Sequence, residues 1–219
     1  MELEELIEKI KSCDLCRSIV FDGSVNVDEK PYIKCGVYWE RIPDTIKCLF
    51  IAESPPGDVN TFFYYPYTDN FLRERLLGFL GIHADGEDGL REFKRRGYFL
   101  IDVVECRVNK VDKGAIPREV INNCLNFLSA KIELARTRGA KKIVVLGSTA
   151  LEALKTLGFN ELREKSVAKN CGEVVESRGF EIFLLPLPAK RGAKYLKQCY
   201  TDEVGVKLAR FLEEHASPS

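Results

Sequence analysis

The chain has 219 residues, 45% of them apolar and 30% charged, and 33 basic side chains balance 33 acidic ones. A domain of this size buries enough apolar surface to fold without a disulfide scaffold, and the composition excludes long disorder. No apolar run approaches the ~20 residues needed to cross a bilayer, and the acidic start lacks a signal-peptide core, so we expect a cytoplasmic monomer that does not bind membranes.

The counts of two residue types narrow the possible chemistry. There are two histidines, His83 and His215, which leaves little for histidine-based metal sites, and we expect His83 on the surface. There are eight cysteines, and intracellular cysteine clusters more often bind metal than form disulfides. A single Met among abundant Glu, Lys and Arg resembles the composition of heat-adapted proteins.

Apolar periodicity predicts helices and strands that alternate along most of the chain. The predicted elements, in order, are a helix at 2–12, a loop or short hairpin at 22–44, a strand at 46–52, helices at 70–81 and 87–96, a strand at 98–104, a helix at 117–138, a strand at 143–147, a helix at 149–157, a small strand at 173–177, a strand at 180–185 and a helix at 203–214. Asn70 and Ser148 are predicted N-caps, Pro117 suits a first helical turn, and Gly97 and Gly139 suit helix ends.

The predicted core strands are continuous apolar runs, which is typical of a parallel sheet covered on both faces. Because strands alternate with helices, the sequence predicts one three-layer α/β/α domain over residues 1–219, with a central four-stranded parallel sheet. Ligands of such sheets bind at the carboxyl ends of the strands. The segments that follow Ala52, Val104, Leu146 and Leu185 are therefore the candidate functional segments.

Two of these segments have a distinctive composition. A Pro- and Gly-rich turn after the first strand contains Glu53 and Ser54 and leads into aromatic residues at 62–67, which either pack in the core or offer a stacking surface for a base. The span 189–197 after the fourth strand has four positive charges and no negative one. It is either a solvated basic loop or a phosphate-binding segment.

The cysteines give the most specific signal. Cys13 and Cys16 form a C-x2-C pair at the end of the first helix. Cys106 follows the second core strand, and Cys124 lies in the next helix. Four thiolates from two distant pairs suit either zinc or an iron–sulfur cluster. Cys48 reads as a core residue. The sequence assigns no role to three further cysteines, at positions 35, 171 and 199.

Taken in order, these motifs resemble the uracil-DNA glycosylase superfamily, closest to its iron–sulfur (family 4) type. The segments that carry the resemblance are CDLC at 13–16, AESPPG at 52–57, IDVVECRVNK at 101–110, Cys124, VVLGSTAL at 144–151 and LPLPAKR at 185–191. The resemblance covers nearly the whole chain. It implies the same α/β fold, DNA in single- or double-stranded form as the partner, and excision of a base.

The resemblance also implies a cofactor and a set of site residues. A structural [4Fe–4S] cluster, with zinc as the alternative, would be held by Cys13, Cys16, Cys106 and Cys124. Glu53 keeps the family's acid, Ser54 stands where some branches place a water-activating Asp or Asn, and Phe63 or Phe62 corresponds to the aromatic that stacks on the base. In the basic loop the residues that would contact DNA are Lys190, Arg191 and Lys194.

Two positions depart from the family pattern. Asp102 replaces the Asn that reads uracil, and an ionised carboxylate only accepts hydrogen bonds. It would suit the exocyclic amine of cytosine, or burial would have to keep it protonated; the alternative is a local cap or ion pair. Leu187 replaces the His that stabilises charge on the base, and a Leu side chain has no donor.

Three functions follow as hypotheses. The first is a DNA glycosylase with altered base preference, in which Asp102, Glu53 and Ser54 act in catalysis and Phe63, Phe62 and Leu187 surround the flipped base. The second is a non-catalytic nucleic-acid-binding protein that retains the fold and the cluster. The third is a nucleotide-processing α/β protein that does not bind DNA, against which the basic span 189–197 argues.

Overall fold

The structure, a computed structural model, describes residues 2–16, 25–28, 37–56, 59–67, 70–110, 116–188 and 197–213. Its helices are α1 (Leu3–Ser12), α2 (Val37–Glu40), α3 (Phe71–Phe79), α4 (Gly86–Arg95), α5 (Arg118–Thr137), α6 (Ser148–Thr156) and α7 (Asp202–Glu213), with 3-10 turns at Val59–Thr61 and Asn160–Leu162. Its strands are β1 (Val25–Asp28), β2 (Cys48–Ala52), β3 (Tyr98–Asp102), β4 (Arg107–Lys110), β5 (Lys142–Leu146), β6 (Val174–Ser177) and β7 (Phe180–Leu185).

The central sheet has the strand order β3-β2-β5-β7-β6. Its first four strands are parallel, as predicted, and β6 adds an antiparallel fifth strand beside β7. Residues of β2, β3 and β5 are buried along their whole length, because helices cover the sheet. The α/β/α fold class predicted from the sequence is confirmed.

The register of the parallel strands aligns their carboxyl ends. Ala52 pairs with Asp102, and Leu146 pairs with Leu185. Hence the segments that follow these four strands leave the sheet at the same edge.

Helices pack on the sheet through faces with helical spacing. Leu6 and Ile10 are the buried residues of α1, and α1 packs on α5. Helix α4 packs on β3, and α6 packs on β5, on β2 and on α5. None of the helices in the described ranges has the length and apolar character needed to cross a membrane.

A second, two-stranded sheet joins distant parts of the chain. Strand β1 pairs antiparallel with β4, from Val25 opposite Lys110 to Asp28 opposite Arg107. The sequence predicted a loop or a local hairpin at 22–44, and the hairpin is wrong for β1 because its partner follows β3. A short strand carries no signal that identifies so distant a partner.

The predicted signals at element ends are mostly confirmed. The Asn70 side chain accepts a hydrogen bond of 2.7 Å from the Arg73 N–H, so Asn70 caps α3. The prediction that Ser148 caps α6 is wrong, since Ser148 is already helical and Gly147 stands at the cap position without a side-chain cap. His83 is exposed and Cys48 is fully buried, both as expected.

Cys171 and Cys199 form a disulfide, with their Cα atoms 5.7 Å apart. The bond joins the turn before β6 to the residues just before α7, and Cys199 is fully buried. The sequence left both residues without a role, because the pairing depends on where the chain brings them. Cys35 lies outside the described residues.

Replacing this disulfide is expected to lower stability only under oxidising conditions. The bond closes a loop between residues 28 apart in sequence, and such a loop constrains the unfolded chain by about 3–4 kcal/mol. Thermal unfolding of Cys171→Ser and wild type should therefore differ without reductant and coincide in dithiothreitol. A variant as stable as the wild type without reductant would show that the cross-link does not stabilise the fold.

Candidate functional site

The pairing of β2 with β3 continues beyond the two strands. The Val103 N–H donates to the Ala52 carbonyl at 3.0 Å, and the Val104 N–H donates to the Glu53 carbonyl at 3.1 Å. Glu53 therefore follows β2 and Asp102 ends β3, and both residues lie at the same edge of the sheet. The strand-end rule applied to the sequence selected the segment that begins with Glu53, whereas Asp102 was selected by the family resemblance.

Glu53 is oriented by the next helix along this edge. Its side chain is half-buried, and the Thr149 hydroxyl donates a hydrogen bond of 2.7 Å to its Oε2 atom. Thr149 lies in the first turn of α6, where the helix dipole favours negative charge. The sequence identified 147–150 only as a strand-to-helix turn, and a single Thr there gives no signal of its role.

Asp102 is 5% exposed. Burial raises the pKa of its carboxyl group, Lys131 opposes this effect, and the neighbouring Glu105 adds to it, so that the pKa is about 7. At neutral pH both protonation states are consequently populated. The protonated form has an O–H that donates a hydrogen bond, which the ionised form lacks.

A buried ion pair supports the turn that follows Asp102. Lys131 on α5 pairs with Glu105, and their side chains are 1% and 2% exposed. The Lys131 ammonium also donates a hydrogen bond of 2.5 Å to the Asp102 backbone carbonyl. Sequence reasoning missed both residues, because a Lys within a helix and a Glu in a turn are ordinarily exposed.

The aromatic segment packs beside β3. The Tyr64 hydroxyl bonds to the Leu100 backbone, donating to its carbonyl at 3.0 Å and accepting from its N–H at 2.7 Å. The Phe63 ring packs edge-on against Tyr64 with centroids 4.9 Å apart, and both Phe62 and Phe63 are buried. The core interpretation of these rings describes the structure. Stacking on a base stays a prediction and requires a ring to become accessible.

The segments after β5 and β7 meet at the same edge. The Gly147 N–H donates to the Leu185 carbonyl at 2.8 Å. Gly147 has a positive φ of 96°, and a Cβ at this position would lie 3.2 Å from the Leu187 Cβ. Leu187 is thus held close to the start of α6.

The structure describes one of the four remaining residues predicted at this edge. Ser54 is half-buried beside Glu53. Three predicted DNA-binding residues, Lys190, Arg191 and Lys194, lie outside the described residues.

Cys124 interacts with two of the other predicted metal ligands, Cys16 and Cys106. Cys16, Cys106 and Cys124 are buried thiols, and Cys13 lies at the C-cap of α1. A hydrogen bond with Cys16 and burial raise the pKa of the Cys124 thiol, and Cys106 also acts on it electrostatically. The Asn123 amide donates to the Cys16 sulfur at 3.7 Å.

This donor set suits soft metal centres, since clustered thiolates bind zinc and iron–sulfur clusters. Metal binding would require the thiols to lose their protons. Within the described ranges, no group of three or more His, Cys, Asp or Glu side chains is arranged to hold a metal ion. The ligand role of Cys13, Cys16, Cys106 and Cys124 therefore stays a prediction.

Comparison with models of known protein families places the chain in a superfamily. A family model described as the uracil DNA glycosylase superfamily matches residues 40–214. The matched range contains the whole central sheet together with Cys106 and Cys124, and it begins after Cys13 and Cys16. No curated protein matches the chain.

Proposed function

The chain belongs to the uracil-DNA glycosylase superfamily, and we propose that it is a base-excision repair enzyme whose base preference differs from that for uracil. In this proposal a damaged or deaminated base leaves the DNA stack, enters the edge formed by the strand ends, and loses its N-glycosidic bond to water. The observation that carries the proposal is the buried Asp102 carboxyl at the edge of the sheet where Glu53 also follows the neighbouring strand. A family match without such a site would support the fold alone.

Asp102 is proposed to read the base. When protonated, its O–H donates to a carbonyl such as uracil O4, and its other oxygen accepts from N3–H, as an Asn amide would. When ionised, it only accepts, which suits an exocyclic amine such as that of cytosine. Because the pKa of Asp102 is raised to about 7, pH would determine which pattern of donors and acceptors the site presents.

Glu53 is proposed to orient the attacking water. As the N-glycosidic bond breaks, its electron pair moves to the base and the sugar develops oxocarbenium character. Water then adds its oxygen to the anomeric carbon and gives up a proton, and the base is released in its neutral form. The hydrogen bond from Thr149 fixes one Glu53 oxygen, so the carboxylate is held at the edge where the water would be bound by Glu53 and the adjacent Ser54.

Leu187 has no hydrogen-bond donor for the departing base. Loss of a preorganised hydrogen-bond donor to the departing base typically raises the barrier by about 2.7–4 kcal/mol. Lys190 or Arg191, from the same loop of the sequence, is proposed to supply the missing positive charge. These residues and Lys194 are also proposed to contact DNA phosphates, in single or double strands.

A [4Fe–4S] cluster on Cys13, Cys16, Cys106 and Cys124 is proposed as the cofactor, with zinc as the alternative. The support is the interaction of the Cys124 thiol with Cys16 and with Cys106, two residues from separate segments of the chain. The cluster would be structural and would tie α1 to α5 and to the turn after β3. No step of base release depends on it.

The direct test is base release from defined duplexes. Purified protein, loaded with iron and sulfide, is incubated with DNA that contains uracil, hypoxanthine or a mismatch, and free base is measured by chromatography. We expect release from at least one substrate, with a large loss in Glu53→Gln. Glu4→Gln on the exposed face of α1 is the matched control. Absence of release from every substrate would overturn the proposal.

A second candidate is a nucleic-acid-binding protein that does not cleave. The absence of a donor at Leu187 and the burial of Phe62 and Phe63 favour it. It predicts DNA binding that weakens steeply with salt, is unchanged in Asp102→Asn, and is accompanied by no base release in any variant.

A further inference from the structure

Lys131 is a buried lysine in the middle of α5. Its side chain is 1% exposed, whereas lysines are almost never fully buried unless they are paired. The ammonium group has two partners on the turn after β3, the Glu105 carboxylate and the Asp102 backbone carbonyl. Burying a charge in this position costs free energy of desolvation. The presence of Lys131 there therefore points to a function.

The partners of Lys131 place it between two parts of the proposed site. Lys131 and Cys124 are seven residues apart on α5 and are both buried, so they lie on one face of the helix. That face packs against the turn 102–106, which begins with Asp102 and ends with Cys106. The Cys124 thiol in turn has a hydrogen bond with the Glu105 backbone.

We propose that Lys131 is a positioning residue for base recognition, which fixes the turn 102–106 and provides one cation that Asp102 and Glu105 share. This inference rests on the proposed function, because Asp102 must read the base for its position to matter. Lys131 itself does not contact the base.

The sharing of one cation has a consequence for Asp102. The groups that act on its carboxyl are Lys131 from α5 and Glu105 from the same turn, and Asp102 in turn acts on the Tyr64 hydroxyl from the aromatic segment. Glu53 follows the neighbouring strand β2. Lys131 lowers the pKa of Asp102 and Glu105 raises it. Neutralising the two residues one at a time should therefore move the pH dependence of base release in opposite directions.

The experiment compares Lys131→Met, Glu105→Gln and the double variant Lys131→Met/Glu105→Leu. The double variant replaces the ion pair by an apolar pair, because the lone buried Glu105 charge destabilises the single variant Lys131→Met. Base release is measured from pH 5 to 9 together with DNA affinity. We expect the pH limb assigned to Asp102 to shift upward in Lys131→Met and downward in Glu105→Gln. In the double variant, kcat should fall on the order of 100-fold while DNA affinity and melting temperature stay near those of wild type.

A merely structural ion pair would give a different result. Stability and activity would then fall together in the single variants, and the pH dependence of base release would not shift in opposite directions. A stable double variant would keep full activity. This result would overturn the proposal. Lys155→Met, on the neighbouring helix α6, is the control for removal of a paired lysine.

A second readout separates this inference from the proposed function. Deuterium exchange of the backbone amides at 102–106 requires no activity. We expect faster exchange there in Lys131→Met and in the double variant, and unchanged exchange in the Lys155→Met control. If the wild type releases no base, the proposed function fails while the exchange still tests the positioning of the turn. Unchanged exchange at 102–106 would overturn the role of Lys131.

Discussion

At pH 9, Asp102→Asn is expected to release uracil about 100-fold faster than the wild type, whereas at pH 5 the two proteins should differ little. The reason is the pKa of Asp102, which burial raises to about 7. Below this value the carboxyl is protonated and donates to uracil O4, as an Asn amide does. Two pH units above it only about 1% of the carboxyl groups keep the proton, and a carboxylate repels O4.

The measurement is single-turnover release of uracil from a single-stranded oligonucleotide across this pH range. Asp88→Asn on the exposed surface of α4 is the matched control and should follow the wild type throughout. An Asp102→Asn variant that shows the same ratio to wild type at both pH values would remove Asp102 from base reading. So would a variant that gains no activity on uracil at high pH.

Cys106→Ser is expected to abolish the brown colour of the iron-loaded protein and to lower its melting temperature. Loss of a structural metal centre belongs to the changes that cost more than about 4 kcal/mol. For a protein of this length that corresponds to roughly 8–16 °C. Visible absorption, iron content per chain and calorimetry measure the effect.

Cys48→Ser is the matched control for this experiment. Cys48 is also a buried thiol, but it lies within β2, so its replacement should lower stability without changing the iron content. If Cys106→Ser and Cys48→Ser retain the same visible spectrum, Cys106 is not a ligand. Bound zinc in place of iron in the wild type would support the alternative cofactor.

The parallel core of the fold was predictable because its strands are buried on both faces. Continuous apolar runs at β2, β3, β5 and β7 are sufficient to place four parallel strands between helices. The pairing of β1 with β4 was not predictable, because it joins short segments from distant parts of the chain. The disulfide was missed for the same reason, since cysteine counts do not reveal which thiols meet.

The candidate site was predictable only in part. Asp102 was identified by the family resemblance, and Glu53 was selected by the strand-end rule, because it follows a strand whose neighbours end at the same edge. The rule did not identify Thr149 or Lys131, whose roles depend on where a helix sits over the sheet. The burial of Phe63 was left open, since an aromatic run after a strand fits either the core or a stacking surface.

The central claim is that an extruded base occupies the edge formed by the strand ends, and photochemical cross-linking tests it most directly. A duplex with one 5-iodouracil in a mismatch is bound and irradiated, and the attached peptide is identified by mass spectrometry. We expect attachment within residues 53–67 or at 102–106. This attachment should be lost when a duplex with an unmodified uracil in the same mismatch competes for the protein. Attachment only to α7 or to α4, away from this edge, would contradict the central claim.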